Sequence, residues 1–362
     1  MIGRTLGLYI AARFARTIFS VFVLFFAIIY ALDFVELLRR SGDTQGATTS
    51  LMAYLSLLRV PTVVEQALPF AVLFGAMTAF LNLSRKLELV IARAAGVSVW
   101  QFLAPPLIVV VLIGLVSVMA YNPVAAQLKE RGDELETRIF GKAGRGDVDT
   151  GSLWIRQKSM DGQAIIRADR SSDAGTVLAS VTAFVFEPDG RFMERVEAAT
   201  ARLSENFWTF ADARVISPGE EPQSVKTYLL ATTLTPEQVT QSFVSPEAVP
   251  FWSLPAIGER IEQVGLDATA YKLHYQTLLA RPLLFVAMVL VAASFSLRFF
   301  RFGGIARMVS GGVISGFVLY VASKLVADLG GAGLLSAPVA AWSPAVVGSM
   351  LGTLVLLHQE DG

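Results

Sequence analysis

The sequence predicts an α-helical membrane protein: six transmembrane helices, with an all-β domain of Greek-key or jelly-roll type inserted between the third and the fourth. Three observations carry that prediction. Of the 362 residues, 54% are hydrophobic and only 17% are charged, against about a quarter charged in an ordinary soluble domain. Six windows are apolar over a length that approaches or exceeds the roughly 20 helical residues needed to cross a hydrocarbon core. Between the third and fourth windows the pattern changes to short runs alternating with period two, as half-buried strands require.

The first span is Thr17–Leu38. Its apolar run is too long for a signal-peptide core and no small-residue cleavage site follows, so it is read as a retained helix. The second span covers Val60–Leu83, with Pro61 and Pro69 inside it, and the third Phe102–Tyr121. From Asn122 to Asp267 no window is apolar enough to span. That stretch holds the runs SLWIRQ, QAIIRAD, TVLASVTAFVFE, FWTFADARVIS and VKTYLLAT. FEPDGRF (Phe186–Phe192) supplies a hairpin turn through Asp-Gly, and SENFW (Ser204–Trp208) a second turn. SLPAIGERIEQVGLDATAYKL then returns as helix, and spans follow at Leu278–Leu297, Ile305–Leu329 and Val339–Leu357. The expected organisation is three helices in 1–121, the β domain in 122–267, and three helices in 268–362, without a tandem repeat.

Charge and cysteine content remove several classes. Lys plus Arg and Asp plus Glu both number 30, so net charge indicates no nucleic-acid partner. There is no cysteine, which excludes disulfides, zinc-thiolate sites and thiol nucleophiles. Orientation follows from where Lys and Arg flank the spans. Arg4, Arg13 and Arg16, then Arg85, Lys86 and Arg93, then Arg298, Arg301 and Arg307 all fall on one side. That side is expected to be the cytoplasm, with both termini there and the β domain outside.

One of those basic groups lies in LSRKLELVIARAAGVSVW (Leu83–Trp100), a charged interruption between two apolar spans. Ser84 is expected to cap a short helix over about 84–95 and Gly96 to end it. Leu87, Val90, Ile91 and Ala94 share an apolar stripe, with Arg85, Glu88 and Ala92 opposite, beside Leu89. Such a helix suits either the lipid interface or a groove on a partner protein. Glu88 favours the partner, since a carboxylate gains nothing from anionic lipid.

LELVIARAAGVS closely resembles the coupling-helix segment of the LptF/LptG family, the permeases of bacterial lipopolysaccharide export. FVELLRR (Phe34–Arg40), GSLWIR (Gly151–Arg156) and SGGVISGFVLYVASKL (Ser310–Leu325) extend the resemblance along essentially the whole chain. The first and last of these favour the LptG side of the family. The family's Pro-Leu-Arg after span four stands here as Phe299-Phe300-Arg301, and its Gly-x-Arg before span five as Ile305-Ala306-Arg307. The resemblance implies that the segment docks in a cytoplasmic LptB-like ATPase, with Arg85, Glu88, Leu89, Arg93 and Gly96 as coupling residues. It also implies an LptF-like permease partner, an LptC-like periplasmic protein as acceptor, and lipopolysaccharide as cargo. The location it implies is the bacterial inner membrane, with the β domain periplasmic.

No catalytic constellation appears. A P-loop is missing: FGKAGRG (Phe140–Gly146) lacks the first glycine and the Ser or Thr after Lys142. His274 and His358 are too far apart for a metal pair, and Ser, His and Asp are nowhere grouped as a nucleophile site. The expectation is a non-catalytic subunit with no cofactor or metal of its own, driven by a partner that uses ATP and Mg.

Charges at the outer ends of spans are candidate substrate contacts. Arg39 and Arg40 end span one against the positive-inside bias. A Glu36–Arg40 pair at helical spacing would satisfy one of them and leave the other. Arginine's planar fork suits phosphate, and in the resembled family basic residues here face lipid A phosphates. Lys129, Arg131 and Arg138 lie just beyond span three among Glu130, Asp133, Glu134 and Glu136, a mixture that also fits a solvated helix face. Arg281, beside Pro282, is a further candidate. Lys324 and Asp328 are expected to pair, while Asp33 and Glu65 have no assigned role. Phe22, Phe25, Phe26 and Phe70 are candidates to line a chamber for acyl chains. Gly312-x-x-x-Gly316 and Gly348-x-x-x-Gly352 suit close helix contact within or between subunits.

Two other classes compete. A membrane-anchored sensor or assembly factor would use the β domain as a protein-binding module and need no ATPase. A secondary transporter would show paired broken helices, but Pro61 and Pro69 have no counterpart in the second half.

Overall fold

The computed structural model describes residues 4–42, 48–140, 153–159, 162–172, 175–235, 245–263, 267–296 and 305–360. Six helices are long and apolar enough to cross a membrane. Helix α1 (Arg4–Ser41) and α2 (Thr49–Arg85) pack along each other, and a short α3 (Glu88–Ala94) follows. Helix α4 (Val99–Val116) runs through a π-helical turn (Ser117–Tyr121) into α5 (Asn122–Phe140) as one rod. After the strands come α6 (Leu254–Gln263), α7 (Thr269–Ser296), α8 (Ile305–Gly331) and α9 (Ala337–Glu360).

The helices outrun the expected spans. At 1.5 Å per residue α1 is about 57 Å long and the α4–α5 rod about 63 Å, twice the hydrocarbon thickness. The β domain expected over 122–267 therefore contracts: residues 122–140 continue the third span as helix, while 254–263 form α6, the helical return that the sequence placed there. Apolar hydropathy marks only the part of a helix that lipid would cover, so the solvated extension of α5 escaped it.

Strands β1 (Leu153–Ser159), β2 (Gly162–Ser172), β3 (Val177–Phe186), β4 (Phe192–Ser204), β5 (Phe207–Ile216) and β6 (Gln223–Ala231) form one antiparallel sheet in sequential order. The all-β domain is present as expected; among the described strands the order is a meander, without a Greek-key crossover. Both turns stand where the sequence placed them. Gly190 takes φ +88° between β3 and β4, and Asn206 φ +69° between β4 and β5. The sheet curls far enough for its edges to meet: Gln157 on β1 donates to the Ala231 carbonyl of β6 (3.2 Å). Its Oε1 accepts from Trp208 Nε1 (3.1 Å) and Thr232 Oγ1 (2.6 Å), so these buried polar groups are satisfied. Trp208 and Phe210 fill the space inside, with Ile166, Val181 and Val196.

The membrane bundle is held by close helix approach. A Cβ on Gly75 would stand 2.7 Å from Ile18 Cα, and one on Gly114 2.7 Å from Pro282 Cα. Only glycine allows α1 to meet α2, and α4 to meet α7, at that separation. Gly312 and Gly316 face Met77 and Leu73 of α2, while Gly348 and Gly352 face Leu319 and Leu290. Both Gly-x-x-x-Gly patterns thus pack within the chain. In the apolar windows of α1 and α8, by contrast, only 6% and 11% of the residues are fully buried.

Candidate functional site

The candidate residues fall mainly toward the two ends of the bundle. At one end stands α3. Ser84 is not its cap but part of the last turn of α2, and Leu87 breaks the path with φ +60°. Leu87 and Ile91 of the expected apolar stripe are 60% and 66% exposed, while Leu89, which the sequence reading put on the opposite face, is buried in the main core. Gly96 ends the segment at φ +83°, as expected. Glu88 has a partner inside the chain. Arg13 Nη1 donates to its Oε1 (2.9 Å) and Oε2 (3.2 Å), and Tyr9 bridges the two. Arg85 is exposed, and the side chains of Val90, Ala92 and Arg93 lie outside the described residues, as do residues 299–301.

At the other end, the basic residues have carboxylate partners. Glu36 pairs with Arg39, three residues on, not with Arg40: Arg39 donates from Nε (2.9 Å) and Nη2 (2.7 Å). The i,i+3 geometry lets the fork close in two bonds, leaving Arg40 free to turn inward. Arg40 donates to Glu136 on α5 (3.2 Å) and lies over the Phe140 ring. Arg59, which the sequence reading passed over, contacts the same Glu136 (3.3 Å) and approaches Asp33 (4.0 Å). Lys129 meets Glu247 at 3.6 Å. Arg131 and Arg138 are exposed on α5.

Arg281 sits deeper. It and Glu65 form an ion pair joining α7 to α2, with side chains only 11% and 5% exposed. Asn122, the first residue after the π turn, donates to Glu65 (2.9 Å) and accepts from the Phe251 backbone N–H (2.9 Å). An inserted residue rotates the following helix by about 100°, so the π turn sets where Asn122 faces. The network ties α2, α5, α7 and the segment leaving the β domain to one buried carboxylate.

Beside that pair lies a cavity of about 500 Å³ between α2, α7 and α8. Its wall combines Glu65, Arg281 and His274 with apolar Pro69, Leu273 and Leu284. The buried His274 Nε2 has no hydrogen-bond partner among the described residues. Lys324 and Asp328, also in the wall, pair at 3.7 Å as expected. Tyr320 carries Phe70 against it, ring centroids 4.6 Å apart. Phe25 packs on Phe74 of α2 and Phe22 on Tyr121 of the π turn, so these two of the expected chamber residues hold α1 to its neighbours.

A chamber beside buried ionic groups, long apolar helices left uncovered, and a β domain between two membrane halves are the parts of a lipid-handling permease. The family model for the lipopolysaccharide export system permease LptF/LptG matches residues 8–358. The chain belongs to this family. It is 24% identical over 331 residues to the lipopolysaccharide export system permease protein LptG of Escherichia coli K12, covering 89% of each chain. It is 23% identical over 367 residues to the LptG of Haemophilus influenzae, covering 98% of this chain and 96% of that one. The protein is thus a multi-pass permease subunit of the lipopolysaccharide export system, which sets aside the sensor and the secondary transporter. For an export permease, Glu65, Asn122 and Arg59 are the residues that sequence reasoning undervalued. Glu65 and Arg281 were each visible as ionisable residues near spans, but their separation of 216 positions hid the pairing.

Proposed function

We propose that this chain is the LptG-type half of a permease pair. It acts with an LptF-like subunit, lifts lipopolysaccharide from the outer leaflet of the inner membrane, and passes it to an LptC-like periplasmic acceptor. Both termini and α3 lie in the cytoplasm and the β domain in the periplasm, in keeping with the basic residues flanking α3. The observation that carries the reading is the α3 end: Leu87 and Ile91 present apolar side chains to solvent beside Arg85. An LptB-like ATPase dimer covers them, with Arg85, Glu88, Leu89, Arg93 and Gly96 forming the coupling segment. ATP and Mg are handled by that ATPase, and this chain binds no cofactor.

The physical need for a chamber is large. Each methylene brought into water costs about 0.8 kcal/mol, so several acyl chains cannot cross unshielded. The cavity between α2, α7 and α8 offers apolar wall for such chains. A gap of about 250 Å³ lined by Ala164, Val185, Met193 and Leu230 offers the β domain a further shielded stretch. Arg39, Arg40, Lys129, Arg131, Arg138 and Arg281 receive the head group. For Arg39, Arg40 and Lys129 this is an exchange of partner, phosphate for carboxylate, at groups that keep contact with solvent, and Glu136 retains Arg59 when Arg40 turns away.

Affinity purification of the tagged chain from solubilised native membranes tests this directly. The reading expects an ATPase subunit and a second permease to be retained together. Recovery of the chain with neither of them contradicts it.

A further inference from the structure

We propose that Arg13 is the transmission residue of this permease: it ties α3 to α1, so that displacement of α3 carries α1 with it. The proposal rests on the coupling role of α3 given above and adds where the force goes next.

The backbone does not carry it. On both sides α3 is separated from its neighbours by left-handed residues, Leu87 at φ +60° and Gly96 at φ +83°. A non-glycine residue in that region is held there by its surroundings, and it interrupts the rigid path from α2. What fixes α3 is side-chain contact. Leu89 is its buried anchor, and Glu88 is its ionic one. The ionic contact is well made: a single guanidinium nitrogen reaches both carboxylate oxygens, and the Tyr9 hydroxyl accepts from Arg13 (2.7 Å) while reaching Glu88 (3.4 Å). Arg13 is largely covered, so its side chain is not free to follow Glu88 without its helix.

Helix α1 suits the receiving role. Ile10, Phe14 and Ile18 make one buried stripe, with the Phe14 ring edge-on to Phe80 at 4.6 Å. Its opposite face, with Phe19, Leu24, Ile28 and Leu32, is exposed, so a shift of α1 runs along its seam with α2 and not through a closed core. Its far end carries Arg40, which holds Glu136 of α5. One continuous helix of 38 residues therefore joins the α3 contact to the basic rim. Pulling on Glu88 loads Arg13, and α1 delivers the displacement to the Arg40–Glu136 pair.

The test uses the assembled permease–ATPase complex. The chain lacks cysteine, so spin labels at Ser20→Cys on α1 and Met350→Cys on α9 report the distance between those two helices. The wild type shows a nucleotide-dependent change in that distance. With Arg13→Ala the ATPase stays bound and hydrolyses ATP at the normal rate, the distance change disappears, and lipid release to the acceptor falls about tenfold, as loss of a coupling contact gives. Arg13→Lys, which keeps a donor for Glu88, recovers most of both signals. Normal lipid release or an unaltered distance change in Arg13→Ala overturns the proposal. So does loss of the bound ATPase, which makes Arg13 part of the docking surface instead. If the wild-type chain retains no ATPase, the coupling role itself fails and the inference goes with it.

Discussion

The residue on which most of the bundle depends is Glu65. Its carboxylate is buried among Arg281 and Asn122, and removing one partner of such a pair strands the other's charge. Arg281→Ala is expected to destabilise the chain by about 3–5 kcal/mol, while the double change Glu65→Leu with Arg281→Met restores much of the loss. Thermal unfolding in detergent checks both; equal melting of the single and double variants contradicts the pairing. A second residue-scale expectation concerns Tyr228 in the β domain. Burial, then the hydrogen bond it donates to Glu194, raise its phenol above the ordinary value near 10. The folded state then holds a proton that the unfolded chain gives up first. The stability it contributes is complete below about pH 10 and is lost as pH rises past that value. Tyr228→Phe is expected to flatten the alkaline loss of melting temperature between pH 9 and 11, about a pH unit either side of that ordinary phenol value, and an unchanged slope contradicts this.

Elements were legible in the sequence to very different degrees. The spans and turns were plain because hydropathy and Asp-Gly or Asn-containing turns are local signals. Helix ends were not. The α5 extension beyond Tyr121 is polar, and the π turn that aims Asn122 leaves no periodic mark. The inward anchor of α3 was not legible for a related reason: seven residues give too short a stripe to show which side meets the core, and Leu87 turns the path with a positive φ. Leu89 anchors it, not Leu87. Of the candidate site, the basic rim was visible as charge out of place. Its acids were not assigned, because Glu136 is 96 positions from Arg40 and Glu65 is 216 from Arg281. Helix contact through glycine was legible as a motif, and the structure supplies its partners. Gly75→Val is expected to force α1 off α2 at Ile18, costing about 1–3 kcal/mol through overpacking. Melting in detergent reads the outcome; a wild-type value contradicts the close approach.

At the scale of the whole molecule, the architecture separates three tasks. In the proposed function one end of the bundle offers α3 to a motor, the other end holds a charged rim and a chamber, and the β domain continues the path. Long helices connect them, and α1 reaches from the first to the second. In that reading the exposed faces of α1 and α8 are where a second permease subunit would complete the chamber. The central claim is that lipopolysaccharide occupies the cavity beside Arg281 and leaves it toward the β domain when ATP is hydrolysed. The most direct measurement places a photo-reactive amino acid at Tyr320 in the cavity wall and, separately, at Leu229 on β6, in complexes reconstituted with lipopolysaccharide. The account predicts adducts at Tyr320 without nucleotide, and adducts at Leu229 that require ATP hydrolysis. Lipopolysaccharide adducts at neither position, or adducts at Leu229 that form equally without ATP, would contradict it.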